Sequence, residues 1–265
     1  MMTFTEKDHT FAICAYKESE YLEECIQSLL GQTKKSRIIM CTSTPNELIA
    51  SLGEKYNIPI YENHGEHGIA GDWNFAYSKA ETPLVTIAHQ DDFYMERYVE
   101  TILDKVNSAK HPLICFTQYC EYKKELERDN KMLRIKRRML LPMKNRFGER
   151  SRFVRRRILA MGNAICCPAV TYVKENLPSP VFRTGFLSNV DWEAWEKLSR
   201  LKGEFLYSDY QGMCHRIHTE STTSELIADH GRAKEDYEMF CKFWPKWIAG
   251  LLMKFYVKSE NLNQV

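Results

Sequence analysis

The sequence predicts an α/β fold, a mixed but largely parallel sheet flanked by helices, with a helical C-terminal region. Over the first 120 residues or so, apolar runs of strand length alternate with amphipathic stretches of helix length. The alternation repeats at the spacing of βα units, whose crossovers make strands parallel and cover both sheet faces. Beyond residue 120 the pattern loosens and helical stretches dominate.

FAICAY (11–16) suits a buried strand, and Leu22, Ile26, Leu29 and Leu30 then mark a helical stripe. Ser19 is placed to cap that helix, Glu20, Glu23 and Glu24 suit the positive end of its dipole, and Gly31 can stop it. RIIMC (37–41), a short helix over 46–52 and IPIY (58–61) follow. A helix over 71–80 leads to the strand PLVTIAH (83–89), and one over 95–109 to PLICFTQY (112–119). Next come a basic helical region (121–160), GNAICCPAVTYV (162–173), a helix from near Asp191, a strand near 204–207 and helix from about Ser224. Ligands of such sheets sit at the carboxyl ends of the strands, so the residues just after Tyr16, Met40 and Ala88 are the first candidates.

Composition narrows the class. Hydrophobic residues make up 44% of 265 and aromatics 12%, which excludes a disordered or collagen-like chain. The nine cysteines form no Cys-x-x-Cys pair or zinc-ligand repeat, and Cys14, Cys41 and Cys115 sit inside apolar runs, as free thiols of a reducing compartment do. The N-terminus lacks the basic region of a signal peptide, and no apolar stretch reaches the ~18–20 residues needed to span a bilayer. The expected location is cytoplasmic, with a peripheral place on the inner face of the cell membrane. Net charge is only +2, yet residues 123–157 hold about fifteen Lys/Arg against about four Asp/Glu. That excess fits either a solvated amphipathic helix or, with Met132, Leu133, Ile135, Met139, Leu140 and Leu141 interleaved, an interfacial one docking on an anionic membrane. Nucleic-acid binding would rest on this charge alone and be non-specific.

The sharpest local signal is His89-Gln90-Asp91-Asp92 directly after the apolar strand. Two carboxylates there are either solvated turn residues and helix caps, or ligands of a hard divalent ion that bridges phosphate oxygens.

Five segments in order resemble family 2 glycosyltransferases. TFAICAYKESEYLEECIQSLLGQT (10–33) resembles the family's opening strand, turn and helix, and IIMCTSTPNE (38–47) its second strand. GIAGDWNFAYSKAETPLVTIAHQDD (68–92) resembles the stretch ending in the Asp-x-Asp-type metal motif. DWEAWEKL (191–198) resembles the segment of the catalytic base, and HRIHTESTT (215–223) a C-terminal Arg-x-His-x-x-Ser segment.

The resemblance implies a GT-A Rossmann-like fold and inverting transfer from a nucleoside-diphosphate sugar to a glycan or lipid-linked acceptor, with no specific nucleic-acid partner. It divides one domain into a nucleotide-sugar-binding half (1–120), an acceptor-binding and catalytic half with the basic insertion (121–223), and a helical extension (224–265). It assigns Asp91 and His218 to a divalent metal, Mn2+ or Mg2+, and Asp191 to the general base. Ala15, Tyr16, Glu18, Thr42, Asp72, Asn74, Gln90 and Arg216 fall to the donor, and Gly162, Asn163 and Trp192 to the acceptor.

The sequence departs from the family pattern at three places. His89 stands at the first Asp of the metal motif, Cys41 and Thr42 where an Asp commonly bonds the nucleotide base, and Trp73 where an Arg is often found. Asp72 or Thr42 can supply substitute contacts to the base. Alternatives stay open: Asp191 as a helix cap, with Glu193 next in line as base; His215 and His218 as surface residues; Trp73, Trp192 and Trp195 as core; Gly162 and Asn163 as a turn. The alternative function is a non-catalytic sugar-nucleotide-binding or scaffold protein on the same fold.

Overall fold

A computed structural model describes residues 3–218 and 231–261. Residues 219–223 of the segment 215–223 and the first part of the C-terminal extension, 224–230, lie outside the described residues.

The strand-length apolar runs become β1 (His9–Ala15), β2 (Arg37–Thr42), β3 (Ile60–Glu62), β4 (Leu84–His89), β5 (Phe93–Tyr94), β6 (Pro112–Tyr122), β7 (Leu126–Glu127), β8 (Val170–Val173) and β9 (Glu204–Arg216). They form one sheet in the order β3-β2-β1-β4-β8-β6-β9-β5, with β7 paired to β6. β3, β2, β1 and β4 are parallel, as are β6 and β9; β8, β5 and β7 pair antiparallel. Both halves of the chain therefore share one mixed sheet, whose parallel strands β1 to β4 are those the alternation over the first 120 residues predicted.

The helices are α1 (Leu22–Leu30), α2 (Glu47–Tyr56), α3 (Ile69–Lys79), α4 (Tyr98–Asn107), α5 (Lys131–Leu140), α6 (Arg146–Arg150), α7 (Arg152–Leu159), α8 (Val190–Ser199), α9 (Gly231–Cys241) and α10 (Lys246–Asn261). Alternating strand residues divide the core in two. Phe11, Ile13, Met40 and Ala88 pack with Ile26, Leu29, Leu52 and Ile102 of α1, α2 and α4. Ala12, Ile39, Val85 and Ile87 share the other cluster with Tyr77, Leu159, Trp192 and Trp195 of α3, α7 and α8. A period of two sends successive side chains to opposite faces, so a strand covered on both faces is apolar throughout.

Three local expectations change. α1 starts at Leu22 with Tyr21 at the cap position, and Ser19 Oγ instead accepts the Tyr21 N–H at 3.3 Å, two residues too early to cap. The basic region is not one helix: β6 runs to Tyr122, β7 follows, and α5, α6 and α7 are short and separate. Much of its charge is consumed internally. Arg137 pairs with Asp129, Lys144 with Asp209, Arg156 with Glu196, and Arg146 and Arg150 with the buried Glu204. Arg155 is buried and donates to the carbonyls of Ser199, Leu201 and Gly203, which the end of α8 leaves without helical partners. Finally, β9 runs nine residues past the expected Tyr207. Its polar SDYQ (208–211) hides it from an apolar-run reading, and a register shift beside Thr117–Gln118 lets pairing continue to Arg216.

A buried polar seam crosses the sheet beneath the site. His9 is fully buried, with Nδ1 at 2.9 Å from Ser36 Oγ and Nε2 at 2.9 Å from Thr86 Oγ1. Burial lowers its pKa to about 3, so the ring stays neutral in the fold. Above pH 6.5 it is neutral in the folded and unfolded states alike. As the pH falls from 6.5 towards 3, the unfolded chain binds a proton that the fold refuses, and stability drops by up to about 1.4 kcal/mol per pH unit. His9→Gln is therefore expected to shrink the loss of unfolding free energy between pH 7 and pH 5 by about 2 kcal/mol, measured by urea denaturation at both pH values. An unchanged pH dependence contradicts the assignment.

Candidate active site

The parallel register of β1 and β4 places Cys14 opposite His89, so their carboxyl ends lie side by side. Gln90 locks them together. Its Nε2 donates to the Tyr16 carbonyl and its Oε1 accepts the Tyr16 N–H, both at 2.9 Å. Lys17 turns the chain away with a φ of 54°, its N–H donating to Thr44 Oγ1, and leaves Tyr16 and Glu18 exposed at the rim. Beside them the buried Thr42 accepts the Thr44 N–H, and Asp72 accepts from Ser43 Oγ at 3.0 Å and Asn63 Nδ2 at 2.8 Å. Ala15, Tyr16, Glu18, Thr42, Asp72 and Gln90 thus share one edge of the sheet.

The adjoining loop carries Asp91 and Asp92, and the end of β9 fixes it. β9 pairs with β5 through Cys214 and Phe93, so Arg216 lies against the loop. The Arg216 N–H donates to Asp92 Oδ1 at 2.9 Å and its Nε to the Asp91 carbonyl at 3.0 Å, while its far amine pairs with Glu24 of α1. The guanidinium lies over the rings of Tyr21, Tyr122 and Phe93 at 4.5, 4.7 and 5.6 Å. Two residues on, His218 Nε2 is 3.0 Å from Asp91 Oδ2. Sequence reading placed Arg216 on the donor. In this geometry it is the brace of the acidic loop.

His89, Asp91 and Asp92 each offer a ligand atom within 4.8 Å of the others. Among the described residues, His89 Nε2 and Asp92 Oδ2 are buried without a hydrogen-bond partner. Leaving such atoms dry is costly, and a divalent cation would satisfy both. Burial and the neighbouring Asp91 push the Asp92 pKa well up. Burial also works to raise that of Asp91, but the nearby His89 and the hydrogen bond from His218 outweigh it and hold the carboxyl below its usual range. Burial lowers the His89 pKa to about 4, leaving a neutral imidazole able to ligate. The ring stacks on Trp73 at 5.0 Å, which fixes its plane. The residues present fit a metal ion.

Asp191 lies in the first turn of α8 and is not its cap, a position held by Asn189. Its Oδ2 accepts from Asn163 Nδ2 and its Oδ1 from the Trp192 N–H, both at 2.7 Å. Asn163 reaches it because Gly162 leaves α7 with a φ of 141°, a conformation glycine adopts without strain. Burial raises the Asp191 pKa against these two hydrogen bonds. The charges of Asp92 and Asp191 both act on the Cys166 thiol, whose pKa burial and those charges push up. α9 holds the N-terminal end of α8, with Glu235 accepting the backbone N–H groups of Leu187, Ser188 and Asn189.

Several expectations need correction. Trp192 is fully buried and donates Nε1–H to the Leu159 carbonyl at 3.0 Å, so it joins α8 to α7 and offers no acceptor surface. Asn74 spends both ends of its amide on the Phe182 backbone, pinning the chain before α8 rather than facing the donor. Asn163 serves Asp191, and Glu193 pairs with Lys242. Sequence reading weighed Asp91 and Asp92 together as ligands of a divalent ion and placed His89 at the first position of the metal motif, but assigned only Asp91 and His218 to the metal; the structure brings His89, Asp91 and Asp92 into one cluster. It missed Glu24, whose role depends on β9 reaching Arg216.

The sequence model of the family described as Glycosyl transferase family 2 matches residues 10–171. No curated protein matches the chain in sequence. Among solved structures, S. aureus TarS 1-349 in complex with UDP-GlcNAc superposes with a TM-score of 0.65 at 12% identity, over 94% of this chain and 71% of that one. The same TarS fragment alone gives 0.59 at 11% identity, over 92% and 69%. S. aureus TarS gives 0.59 at 12% identity, over 94% of this chain and 42% of that one. These likenesses establish the shared GT-A-type fold.

Because the Asn163 amide stabilises the ionised carboxylate, Asn163→Ala is expected to raise the Asp191 pKa. Carbon-13 carboxyl titration by NMR measures it, and an unchanged or lowered value contradicts the contact.

Proposed function

Because the chain belongs to glycosyl transferase family 2 and is a glycosyltransferase, we propose that it moves a sugar from a nucleoside-diphosphate donor to a hydroxyl of a glycan or lipid-linked acceptor, with inversion and metal assistance. The observation that carries this reading is the pair of buried, unpartnered ligand atoms on His89 and Asp92 beside Asp91 at the end of β4. His89, Asp91, Asp92 and His218 would hold a divalent ion, which supplies charge stabilisation to the departing diphosphate. The mixed imidazole and carboxylate donor set favours Mn2+ over Mg2+.

The chain's own residues do the rest. The rim formed by Ala15, Tyr16, Glu18, Thr42 and Asp72 receives the nucleoside, and Gln90 keeps the two strand ends at a fixed separation beneath it. S. aureus TarS 1-349 was solved with UDP-GlcNAc and with UDP, which makes uridine diphosphate sugars the first donors to test. Arg216 holds Asp91 and Asp92 in place through its backbone and guanidinium. Asp191 takes the proton of the acceptor hydroxyl as that oxygen bonds to the anomeric carbon and the carbon–phosphate oxygen bond breaks. One displacement from the opposite face inverts the centre. A pKa raised by burial makes Asp191 a stronger base than a solvated carboxylate, and the Asn163 bond fixes its direction.

Two substitutions separate the roles. Asp91→Asn is expected to weaken Mn2+-dependent donor binding and slow transfer together. Asp191→Asn is expected to keep donor binding while lowering turnover by roughly 10²–10⁴-fold. Calorimetry with UDP and a product assay on both folded variants measure this. Near-normal turnover in Asp191→Asn removes the base assignment, and unchanged binding and transfer in Asp91→Asn removes the metal assignment.

A further inference from the structure

We propose that the enzyme docks on an anionic phospholipid bilayer through a composite aromatic and cationic surface made by α7 and α10. On α7 and the residues just after it, Phe153, Arg157 and Met161 follow one another at a spacing of four, which is one helix stripe. On α10, Trp247 and Leu251 lie four apart and form a second stripe, with Trp244 in the turn just before the helix. The two stripes touch. Trp244 Nε1–H donates to the Ala160 carbonyl at 2.7 Å, and the Arg157 guanidinium lies 5.7 Å from the Phe153 ring and 5.0 Å from that of Trp244. Phe153 is 71% exposed, Met161 54%, Trp247 70% and Leu251 48%, an apolar patch far beyond scattered surface residues.

Charge identifies the occupant. Between Arg150 and Met161 the sequence has no acidic residue, and none occurs from Met239 to Ser259. Arg152 and Arg157 have no carboxylate partner among the described residues, and Lys246 and Lys254 flank the α10 stripe. Arg152, Phe153, Arg156 and Arg200 line an open hollow of about 410 Å³ beside the patch. Glu196, which answers Arg156 and Arg200, is itself buried. Aromatic tips among cations, on two segments that carry no acid, match the headgroup layer of an anionic leaflet, where rings sit at the interface and cations meet lipid phosphate. No helix among the described residues is long and apolar enough to cross a membrane, so this is surface attachment. The surface is narrower than the whole stretch 123–157, because many of that stretch's cations are paired internally.

The test reads partitioning and stands apart from sugar transfer. The full chain is co-sedimented with phosphatidylglycerol/phosphatidylcholine vesicles and with pure phosphatidylcholine vesicles over a salt series. Selective, salt-weakened binding to the anionic vesicles is expected. The double variant Phe153→Ser/Trp247→Ser should bind at least tenfold more weakly, while Lys131→Ser/Arg134→Ser on α5 should stay within twofold of the parent. Brominated lipids should quench fluorescence that is absent from Trp247→Phe, a readout that needs no disruptive change. Equal binding to both vesicle types, no effect of the double variant, or an equal loss in the α5 variant overturns the proposal. So does self-association in the absence of lipid that the double variant abolishes, since the patch would then be a contact between copies of this chain.

Discussion

The contact between the end of β9 and the loop after β4 is the constraint on which the site depends. Two adjacent carboxylates at a sheet edge repel one another and lose hydration. They stay in place because Arg216 donates a backbone N–H to Asp92 and a guanidinium N–H to the Asp91 carbonyl while its far amine pairs with Glu24. An exposed ion pair would contribute little, but this guanidinium is buried and enclosed by Tyr21, Phe93 and Tyr122. Enclosure ties four elements, α1, β5, β6 and β9, to one charged centre. His218 then arrives at Asp91 because the same strand carries it there.

The second carboxylate site is built by helix packing. Asp191 projects from α8, whose Trp192 and Trp195 are buried against the sheet and whose N-terminal end is held by Glu235 of α9. Asn163 approaches from the end of α7. In the proposed reading, donor-side chemistry thus rests on strand ends and acceptor-side chemistry on helix ends. The charges of Asp92 and Asp191 are both felt at Cys166.

Most of the nucleotide-side fold was legible in the sequence because parallel strands covered on both faces must be apolar throughout, as FAICAY, RIIMC and LVTIAH are. Helix boundaries were less so. Asn46 caps α2 as its type suggests, whereas Ser19 sits two residues early. What stayed hidden depends on partners distant in sequence. The polar middle of β9 masked its length, the internal pairing of Arg137, Lys144 and Arg156 is invisible to a charge count, and Trp192 reads as a groove residue until its burial is known. The site residues legible beforehand were those attached to strand ends. Asn74 and Asn163 were noticed, but their hydrogen bonds to Phe182 and Asp191 required the tertiary structure.

The central claim is that the cluster at the end of β4 binds a divalent ion together with a nucleoside diphosphate. Crystals grown with UDP and Mn2+ and measured at the manganese absorption edge test it most directly. An anomalous peak at Asp91, within reach of His89, Asp92 or His218 and of the diphosphate, is the predicted result. A bound nucleotide with no manganese at Asp91, or manganese located elsewhere, would contradict it.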